Sequence, residues 1–160
     1  MFHTSQKIFA REEVPARLAV WRLHGDRIVF TNGCFDLLHL GHVDYLEQAR
    51  HLGDRLVLGL NTDASIRRLK GATRPIQDEQ SRARVMAALE FVDLVTLFDE
   101  DTPRELIQLV RPEVLVKGND YRVEDIVGAR EVMAAGGVVR TIPLVEGHST
   151  SYIVNKIRHE

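Results

Sequence analysis

The sequence lacks the features that mark several common classes of protein. Its 160 residues include a single cysteine, Cys34, which excludes an internal disulfide and a cysteine-rich metal site. No apolar run approaches the roughly 20 residues that a membrane-spanning helix needs. The N-terminal residues also lack the apolar stretch of a secretory signal peptide. We therefore expect a cytoplasmic protein that has no membrane segment.

The chain also has no surplus of charge of either sign. Its 21 lysine and arginine residues stand against 23 aspartate and glutamate residues, which gives a formal net charge of −2. Proteins that bind nucleic acid by neutralising phosphates usually carry a basic surplus. The balance therefore argues against nucleic acid as a partner, and the hydrophobic content of 44% is that of an ordinary folded domain.

Short β-branched and apolar runs alternate with helical patterns along most of the chain. Such alternation indicates parallel strands joined by crossover helices. We predict an α/β fold: a Rossmann-like, doubly wound, five-stranded parallel sheet in one domain that spans residues 27–160. The predicted strands are residues 27–31, 55–60, 94–98, 114–117 and 138–142. The predicted helices lie at about residues 41–52, 78–89, 103–110, 125–135 and 149–158.

Residues 1–26 are predicted to be an N-terminal helical extension of this domain. Val14, Leu18 and Trp21 recur at helical spacing between residues 11 and 23, and Gly25 ends the pattern. The spacing predicts one short amphipathic helix. We expect the protein to be a homo-oligomer, and this helix with Trp21 is a candidate contact surface.

The segment that follows the first predicted strand carries the strongest chemical signal. Ligands of doubly wound sheets bind at the carboxyl ends of the strands, and residues 31–42 there read T-N-G-C-F-D-L-L-H-L-G-H. Gly41 allows close approach to a helix start, where free backbone N–H groups favour a phosphate. His39 and His42 are three residues apart, so both can face the same phosphate. A zinc site would need H-E-x-x-H or a third ligand nearby, and neither is evident.

A second segment, residues 61–74, follows the second predicted strand. It is predicted to place Lys70 and Arg74 in a loop. A lysine suits a phosphate as a mobile point charge, and an arginine as a rigid two-pronged donor. The alternative is a solvated basic loop, which is the usual role of such clusters.

Two more segments lie where the fold places ligands. Residues 118–121 end the fourth strand, where Gly118 permits close approach of a nucleotide and Asp120 can orient a histidine or bind a sugar hydroxyl; simple turn chemistry is the alternative. Residues 146–151 begin the last helix. The hydroxyls of Ser149 and Thr150 either cap that helix or bind phosphate oxygens there.

Taken together, the motifs resemble a known family. H-L-G-H at residues 39–42 resembles the HxGH signature of the nucleotidyltransferase superfamily that includes cytidylyltransferases and pantetheine-phosphate adenylyltransferase. R-R-L-K-G-A-T-R-P-I (67–76), V-L-V-K-G-N-D-Y (114–121) and E-G-H-S-T-S-Y-I-V (146–154) are similar to the heptose-1-phosphate nucleotidyltransferases of bacterial lipopolysaccharide assembly. In many bacteria this unit is fused behind a sugar kinase. Since 160 residues leave no room for a kinase, we expect the stand-alone adenylyltransferase.

The resemblance implies transfer of AMP from ATP to a heptose 1-phosphate, with release of pyrophosphate and with Mg²⁺ accompanying the ATP. It implies catalytic roles for His39, His42 and Lys70. Asp36 is expected to orient His42 or to meet the sugar phosphate, and Arg74 to bind the substrate. The residues expected to bind the nucleotide are Thr31, Asn32, Gly33, Cys34, Phe35, Gly41, Lys117, Gly118, Asp120, Ser149 and Thr150. No residue is expected to hold a resident metal.

The sequence departs from the cytidylyltransferase pattern R-T-E-G-I-S-T at two positions. Leu144 stands where that pattern has arginine, and His148 stands where it has isoleucine. These differences weaken the interpretation as a cytidylyltransferase and leave one triphosphate contact unaccounted for. The nearest alternative is a cytidylyltransferase that acts on glycerol 3-phosphate or a similar small phosphate ester. A nucleotide-binding regulatory module without catalysis is a second. A dinucleotide-binding Rossmann domain is excluded, since no G-x-G-x-x-G follows the first strand.

Overall fold

The strands form one parallel sheet of five, in the order β3-β2-β1-β4-β5. The computed structural model describes residues 3–120 and 122–158, so Tyr121 of the predicted site segment lies outside the described residues. The strands are β1 Ile28–Gly33, β2 Arg55–Asn61, β3 Leu94–Phe98, β4 Val114–Gly118 and β5 Val138–Ile142. The order reverses between β1 and β4, which is the switch point where this fold binds its ligands. The predicted α/β doubly wound sheet is confirmed.

The central strands are apolar because helices cover both faces of the sheet. Val29 of β1 pairs with Leu56 of β2 on one side and with Val114 of β4 on the other, and all three side chains are buried. Strands of a parallel sheet read as continuous apolar runs for this reason.

Seven helices surround this sheet in the described part of the chain. They are α1 Val14–Leu23, α2 Leu40–Arg50, α3 Asp63–Lys70, α4 Glu79–Ala87, α5 Arg104–Val110, α6 Ala129–Ala134 and α7 Thr150–Arg158. Buried side chains of α1, α5 and α6 form one core cluster with β1, and those of α2 and α4 form a second cluster. No helix among these is long and apolar enough to cross a membrane.

Helix α1 belongs to the core of the sheet domain. Val14, Leu18 and Trp21 are buried in the same cluster as Ile28 and Phe30 of β1. Trp21 is only 6% exposed. The prediction that Trp21 offers an exposed contact surface is therefore wrong, because its ring is packed inside the protein.

The structure differs from the predicted helices in two places. Residues 63–70, for which no helix was predicted, form α3, whose N-cap Thr62 accepts a hydrogen bond from the Ser65 N–H. This helix has only eight residues and buries little apart from Ile66, so its periodic pattern is too short to read. Helix α6 starts four residues later than predicted, because Gly128 adopts a left-handed conformation at its N-cap.

Truncation of Leu18 tests whether α1 is part of the core. The side chain is 1% exposed, so Leu18→Ala is expected to lower the free energy of unfolding by about 2–5 kcal/mol. Leu23→Ala in the same helix is the matched control, since Leu23 is 86% exposed and its loss is expected to cost less than about 0.5 kcal/mol. Urea denaturation measures both, and equal effects would contradict the packing described above.

Candidate active site

A cavity of about 670 Å³ lies over the carboxyl ends of the strands. It is bordered by the segments that follow β1, β2, β3 and β4 and by the start of α7. All the predicted site residues line it except Thr31. The sheet topology therefore brings together four sequence segments that are far apart in the chain.

Two histidine rings form the centre of this cavity. His39 is the N-cap of α2 and His42 lies in its first turn, and their rings stack with centroids 3.7 Å apart and planes 26° apart. The His39 side chain makes no capping bond to the helix. In the described residues, Nδ1 of each ring is buried without a hydrogen-bond partner. Buried polar atoms without a partner are uncommon in folded proteins and often mark functional sites, and this pair lies at a helix start, where free backbone N–H groups favour an anion.

Both imidazoles are neutral at pH 7 in the ligand-free protein. Burial lowers the pKa of His42 to about 4, and the charges of His39 and Lys70 act in the same direction. Burial also lowers the pKa of His39, with the charge of His148 as a second cause. A neutral imidazole has one N–H donor and one acceptor nitrogen. Each neutral ring therefore has one N–H group to donate, and a hydrogen bond between His42 and the Leu37 backbone opposes the fall in the pKa of His42.

The ring of Phe35 packs against the ring of His42. Its backbone is in the left-handed region, with φ of 43°, and its ring centroid lies 5.0 Å from that of His42 at a tilt of 58°. A Cβ atom at Gly33 would lie 2.8 Å from the Phe35 ring, so this packing requires glycine at that position. Phe35 and Gly33 thus border the cavity, and their main role is to hold the His42 ring in place.

Gly41 lets the start of α2 meet the turn before α7. A Cβ atom at this position would lie 3.1 Å from the carbonyl oxygen of His148 and 3.1 Å from Nδ1 of His39. Both contacts are tighter than an ordinary van der Waals contact, so a larger residue would push the two segments apart. His148 consequently borders the same cavity as the histidine pair.

Lys117 at the end of β4 provides a cation at the bottom of the cavity. Its Nζ donates a hydrogen bond to the Asn32 carbonyl oxygen at 3.4 Å. Burial lowers the pKa of Lys117 to about 8, while the nearby Asp120 and Cys34 act in the opposite direction. The ammonium is therefore mostly charged at pH 7. The Oδ1 atom of Asn32, also buried, has no hydrogen-bond partner in the described residues.

Lys70 and Arg74 lie on the wall next to α3. Lys70 is the last residue of that helix, and not in a loop as predicted. Arg74 follows in the connection to α4, and its Nε donates a 2.8 Å hydrogen bond to Oδ2 of Asp36. Both cations border the cavity that contains the histidine pair.

Asp36 holds this connection and does not orient His42. Its side chain is 1% exposed, and besides Arg74 its oxygens accept 2.9 Å hydrogen bonds from the backbone N–H groups of Ile76 and Gln77. Burial would raise the pKa of Asp36, but these N–H donors and Arg74 outweigh it and hold the pKa below its usual value. The prediction that Asp36 orients His42 or meets the sugar phosphate is therefore corrected, because its oxygens are already engaged within the chain.

Thr31 also differs from its predicted role. Its side chain is fully buried, and its hydroxyl shares a 2.8 Å hydrogen bond with the Tyr45 hydroxyl on α2. Side chains alternate between the two faces of a strand, and that of Thr31 faces α2. The side chain of Thr31 therefore does not reach the cavity, and the residue joins β1 to α2.

At the start of α7 the structure supports the capping alternative for one hydroxyl. Oγ of Ser149 accepts a 3.0 Å hydrogen bond from the Tyr152 N–H. Thr150 is the first residue of the helix, and both residues border the cavity. Gly118 and Asp120 border it from the end of β4.

Several residues at the site were missed in the sequence, among them Tyr45, which lines the cavity from α2. Residues 101–103 and 125–127 line the cavity. The first group follows β3. Because ligands bind at the carboxyl ends of the strands, the position of this group after a predicted strand could have identified it. The second group precedes α6 and carries no comparable signal. Arg82, a fully buried arginine of α4, contacts the backbone of the site, although an arginine in a predicted helix suggests a solvated position.

Comparison with known proteins places the chain in a family. The model of the cytidylyltransferase-like family matches residues 30–156. The chain belongs to the cytidylyltransferase-like family. This assignment confirms the resemblance inferred from the HxGH signature.

Some relatives of this chain are considerably longer proteins. The chain is 58% identical over 153 residues to the Bifunctional protein HldE of Methylobacillus flagellatus, which covers 96% of this chain and 31% of that protein. It is 58% identical over 151 residues to the Bifunctional protein HldE of Azorhizobium caulinodans, which covers 94% of this chain and 32% of that protein. The chain thus spans about a third of the length of these relatives.

Two solved structures are similar to the fold. The lipopolysaccharide core biosynthesis protein from Thermoplasma volcanium GSS1 is 31% identical, with a TM-score of 0.60 over 76% of this chain and 98% of its own. The pantoate-beta-alanine ligase from Francisella tularensis has a TM-score of 0.64 over 96% of this chain and 78% of its own. At 15% identity, the second similarity shows the fold alone.

The acid range tests the role of Asp36. Because its folded-state pKa is depressed, its contribution to stability is fully present above its unfolded-state pKa of roughly 4 and is lost as pH falls through the folded-state value. Asp36→Asn is expected to lower the free energy of unfolding by about 2–3 kcal/mol at pH 7, and by progressively less below about pH 4.

Urea titrations from pH 3 to pH 7 measure this difference. Asp44→Asn is the control, since Asp44 accepts a hydrogen bond from Gln48 in an exposed position and is expected to contribute less than about 0.5 kcal/mol. A loss in Asp36→Asn that stays constant over the whole range would contradict the assignment.

Proposed function

We propose that the chain transfers AMP from ATP to D-glycero-D-manno-heptose 1-phosphate, which gives ADP-heptose and pyrophosphate for lipopolysaccharide core synthesis. The observation that carries this proposal is the stacked pair of His39 and His42, with buried and unpartnered Nδ1 atoms at the uncapped start of α2. The similarity to a lipopolysaccharide core biosynthesis protein supports the choice of acceptor. So does the resemblance of three motifs to heptose-1-phosphate nucleotidyltransferases.

In this reaction an oxygen of the acceptor phosphate attacks the α-phosphorus of ATP. The new bond joins that oxygen to the α-phosphorus, and the bond from the α-phosphorus to the oxygen it shares with the β-phosphorus breaks, so pyrophosphate leaves with the bonding electrons. The attacking phosphate is already ionised at pH 7, so no general base is needed. Catalysis then consists of alignment and of stabilising the charge that develops on the phosphate oxygens.

The histidine pair and the cavity cations supply that stabilisation. The N–H groups of His39 and His42 donate to oxygens of the transferring phosphate, with the first backbone N–H groups of α2 alongside. Lys70 and Arg74 offset the negative charge on the α3 side, and Lys117 does so from the end of β4. Gly118, Asp120, Ser149 and Thr150 border the remaining space, where we place the nucleotide.

Magnesium enters this scheme as part of the ATP substrate. Residues 3–120 and 122–158 contain no group of three or more histidine, cysteine or acidic side chains that could hold a metal ion. Mg²⁺ retains several water ligands and binds phosphate oxygens readily. We therefore propose that this ion is held largely by the triphosphate and water.

The alternative of a cytidylyltransferase is not favoured. Leu144 borders the cavity at the position where the cytidylyltransferase pattern has an arginine, and its apolar side chain supplies no charge for a triphosphate. A regulatory module without catalysis would not need both histidines at the helix start. Because ATP is the donor, we place the reaction in the cytoplasm, and the homo-oligomer expected from the sequence stays a prediction.

Replacement of His42 tests the mechanism. His42→Asn is expected to lower kcat by about 10²–10³-fold, because it removes a donor to the transition state, and to change the Kd of ATP much less. His51→Asn, at the exposed C-cap of the same helix, is expected to leave both values unchanged. Pyrophosphate release gives kcat and calorimetry gives Kd. Near-normal turnover of His42→Asn would remove His42 from the mechanism.

The reaction itself is tested with a substrate panel. ATP, CTP and GTP are each combined with heptose 1-phosphate and with glycerol 3-phosphate, and pyrophosphate and nucleotide-linked product are quantified. We expect equal amounts of the two products, with ATP and heptose 1-phosphate as the best pair. Release of free phosphate would indicate a hydrolase, and a preference for CTP with glycerol 3-phosphate would favour the alternative.

A further inference from the structure

Arg82 of α4 is a fully buried arginine whose guanidinium group contacts the backbone behind the cavity. It donates four hydrogen bonds: Nη1 to the carbonyl oxygens of Cys34 and Asn61, both at 2.8 Å, Nε to that of Gln77 at 3.0 Å, and Nη2 to Oδ1 of Asp63 at 2.7 Å. One planar group therefore binds three carbonyl groups and one carboxylate in three different parts of the chain.

Each of these four partners belongs to a segment that carries a cavity residue. Cys34 precedes the loop that leads to His39 and His42. Asn61 ends β2, and Asp63 begins α3, whose last residue is Lys70. Gln77 lies in the connection that carries Arg74.

The connection that carries Arg74 is held from two sides at Gln77. Its backbone N–H donates to Asp36, and its carbonyl oxygen accepts from Arg82. Asp36 also binds Arg74 directly. The position of Arg74 relative to the loop after β1 thus depends on both buried charged groups.

An apolar side chain of the same volume as Arg82 could not make these hydrogen bonds. Replacing a buried ion pair by hydrophobic residues of similar volume often costs little stability, because the charges no longer have to be desolvated, whereas loss of Arg82 alone would leave Asp63 without its partner. However, a methionine or a leucine has no N–H groups, so the carbonyl oxygens of Cys34 and Asn61 would be left without these donors. Lysine keeps the charge but has no planar fork with fixed donor directions.

We propose that Arg82 is a positioning residue for the nucleotidyl transfer, which fixes the backbone of the histidine loop, of α3 and of the Arg74 connection relative to one another. This inference rests on the proposed function of the site. Arg82 itself is buried beneath the cavity and does not line it, so it acts through the cavity residues and not on substrate. Displacement of catalytic groups by about 1 Å costs roughly 10²-fold in rate, which is the size of effect expected.

The test compares Arg82→Lys and Arg82→Ala with Arg84→Lys and Arg84→Ala in the full chain. Arg84 is exposed on the same helix, two residues away, and is the matched control. We expect both Arg82 variants to lower kcat by about 10–100-fold with a smaller change in the KM of ATP, after correction for the folded fraction measured by urea denaturation. Guanidinium at sub-denaturing concentration is expected to restore part of the kcat of Arg82→Ala, whereas ethylammonium is not. Wild-type kcat in folded Arg82→Lys would overturn the proposal.

Amide hydrogen exchange provides a readout that does not depend on activity. In Arg82→Lys we expect faster exchange at Ile76, Gln77 and the first turn of α2, with no change at β5, since only the segments bound by Arg82 are released. A uniform increase over the whole chain would show a general loss of stability and would overturn the positioning role. If the wild-type protein releases no pyrophosphate from any substrate pair, the proposed function fails, and the exchange pattern alone decides on Arg82.

Discussion

Hydrogen bonds from buried cations to backbone carbonyl groups hold together the carboxyl edge of the sheet. Arg82 binds the carbonyl groups of Cys34 and Asn61, and Lys117 binds that of Asn32. These carbonyl groups lie where β1 and β2 give way to the loops around the cavity, and buried carbonyl groups need donors. Because the donors are charged, the same bonds that fix the loops also place positive charge beside the cavity.

A chain of net charge −2 can still bring three cations, Lys70, Arg74 and Lys117, to the wall of one cavity. Two acidic side chains near these cations are engaged with internal partners: Asp36 with Arg74 and two backbone N–H groups, and Asp63 with Arg82. Asp101, Asp120 and Asp125 also line the cavity. Lys70 and the uncapped start of α2 remain directed to the cavity. The overall charge of a protein therefore says little about the field at one edge of its sheet.

The strands and the segments that follow them could be predicted from the sequence, because a parallel sheet covered on both faces produces apolar runs and concentrates its functional residues at one edge. Helix α3 could not, since its eight residues are fewer than the 11 or more over which a helical period can be read. The roles of Thr31, Asp36 and Arg82 depended on partners up to 48 positions away in the chain, which no local pattern shows. The HxGH signature thus located the site, whereas the contacts of individual side chains could be identified only from the folded structure.

The low pKa of the histidine pair has a consequence for the energetics of ligand binding. A phosphate group placed beside His42, whose pKa is about 4 in the empty cavity, favours the protonated ring. A ligand that raises this pKa toward the pH of the solution takes up protons as it binds, in thermodynamic linkage with pH. The measured enthalpy of binding then includes the ionisation heat of the buffer, and the affinity rises as the solution becomes more acidic. Binding of such a ligand and protonation of the stacked histidine rings therefore favour each other.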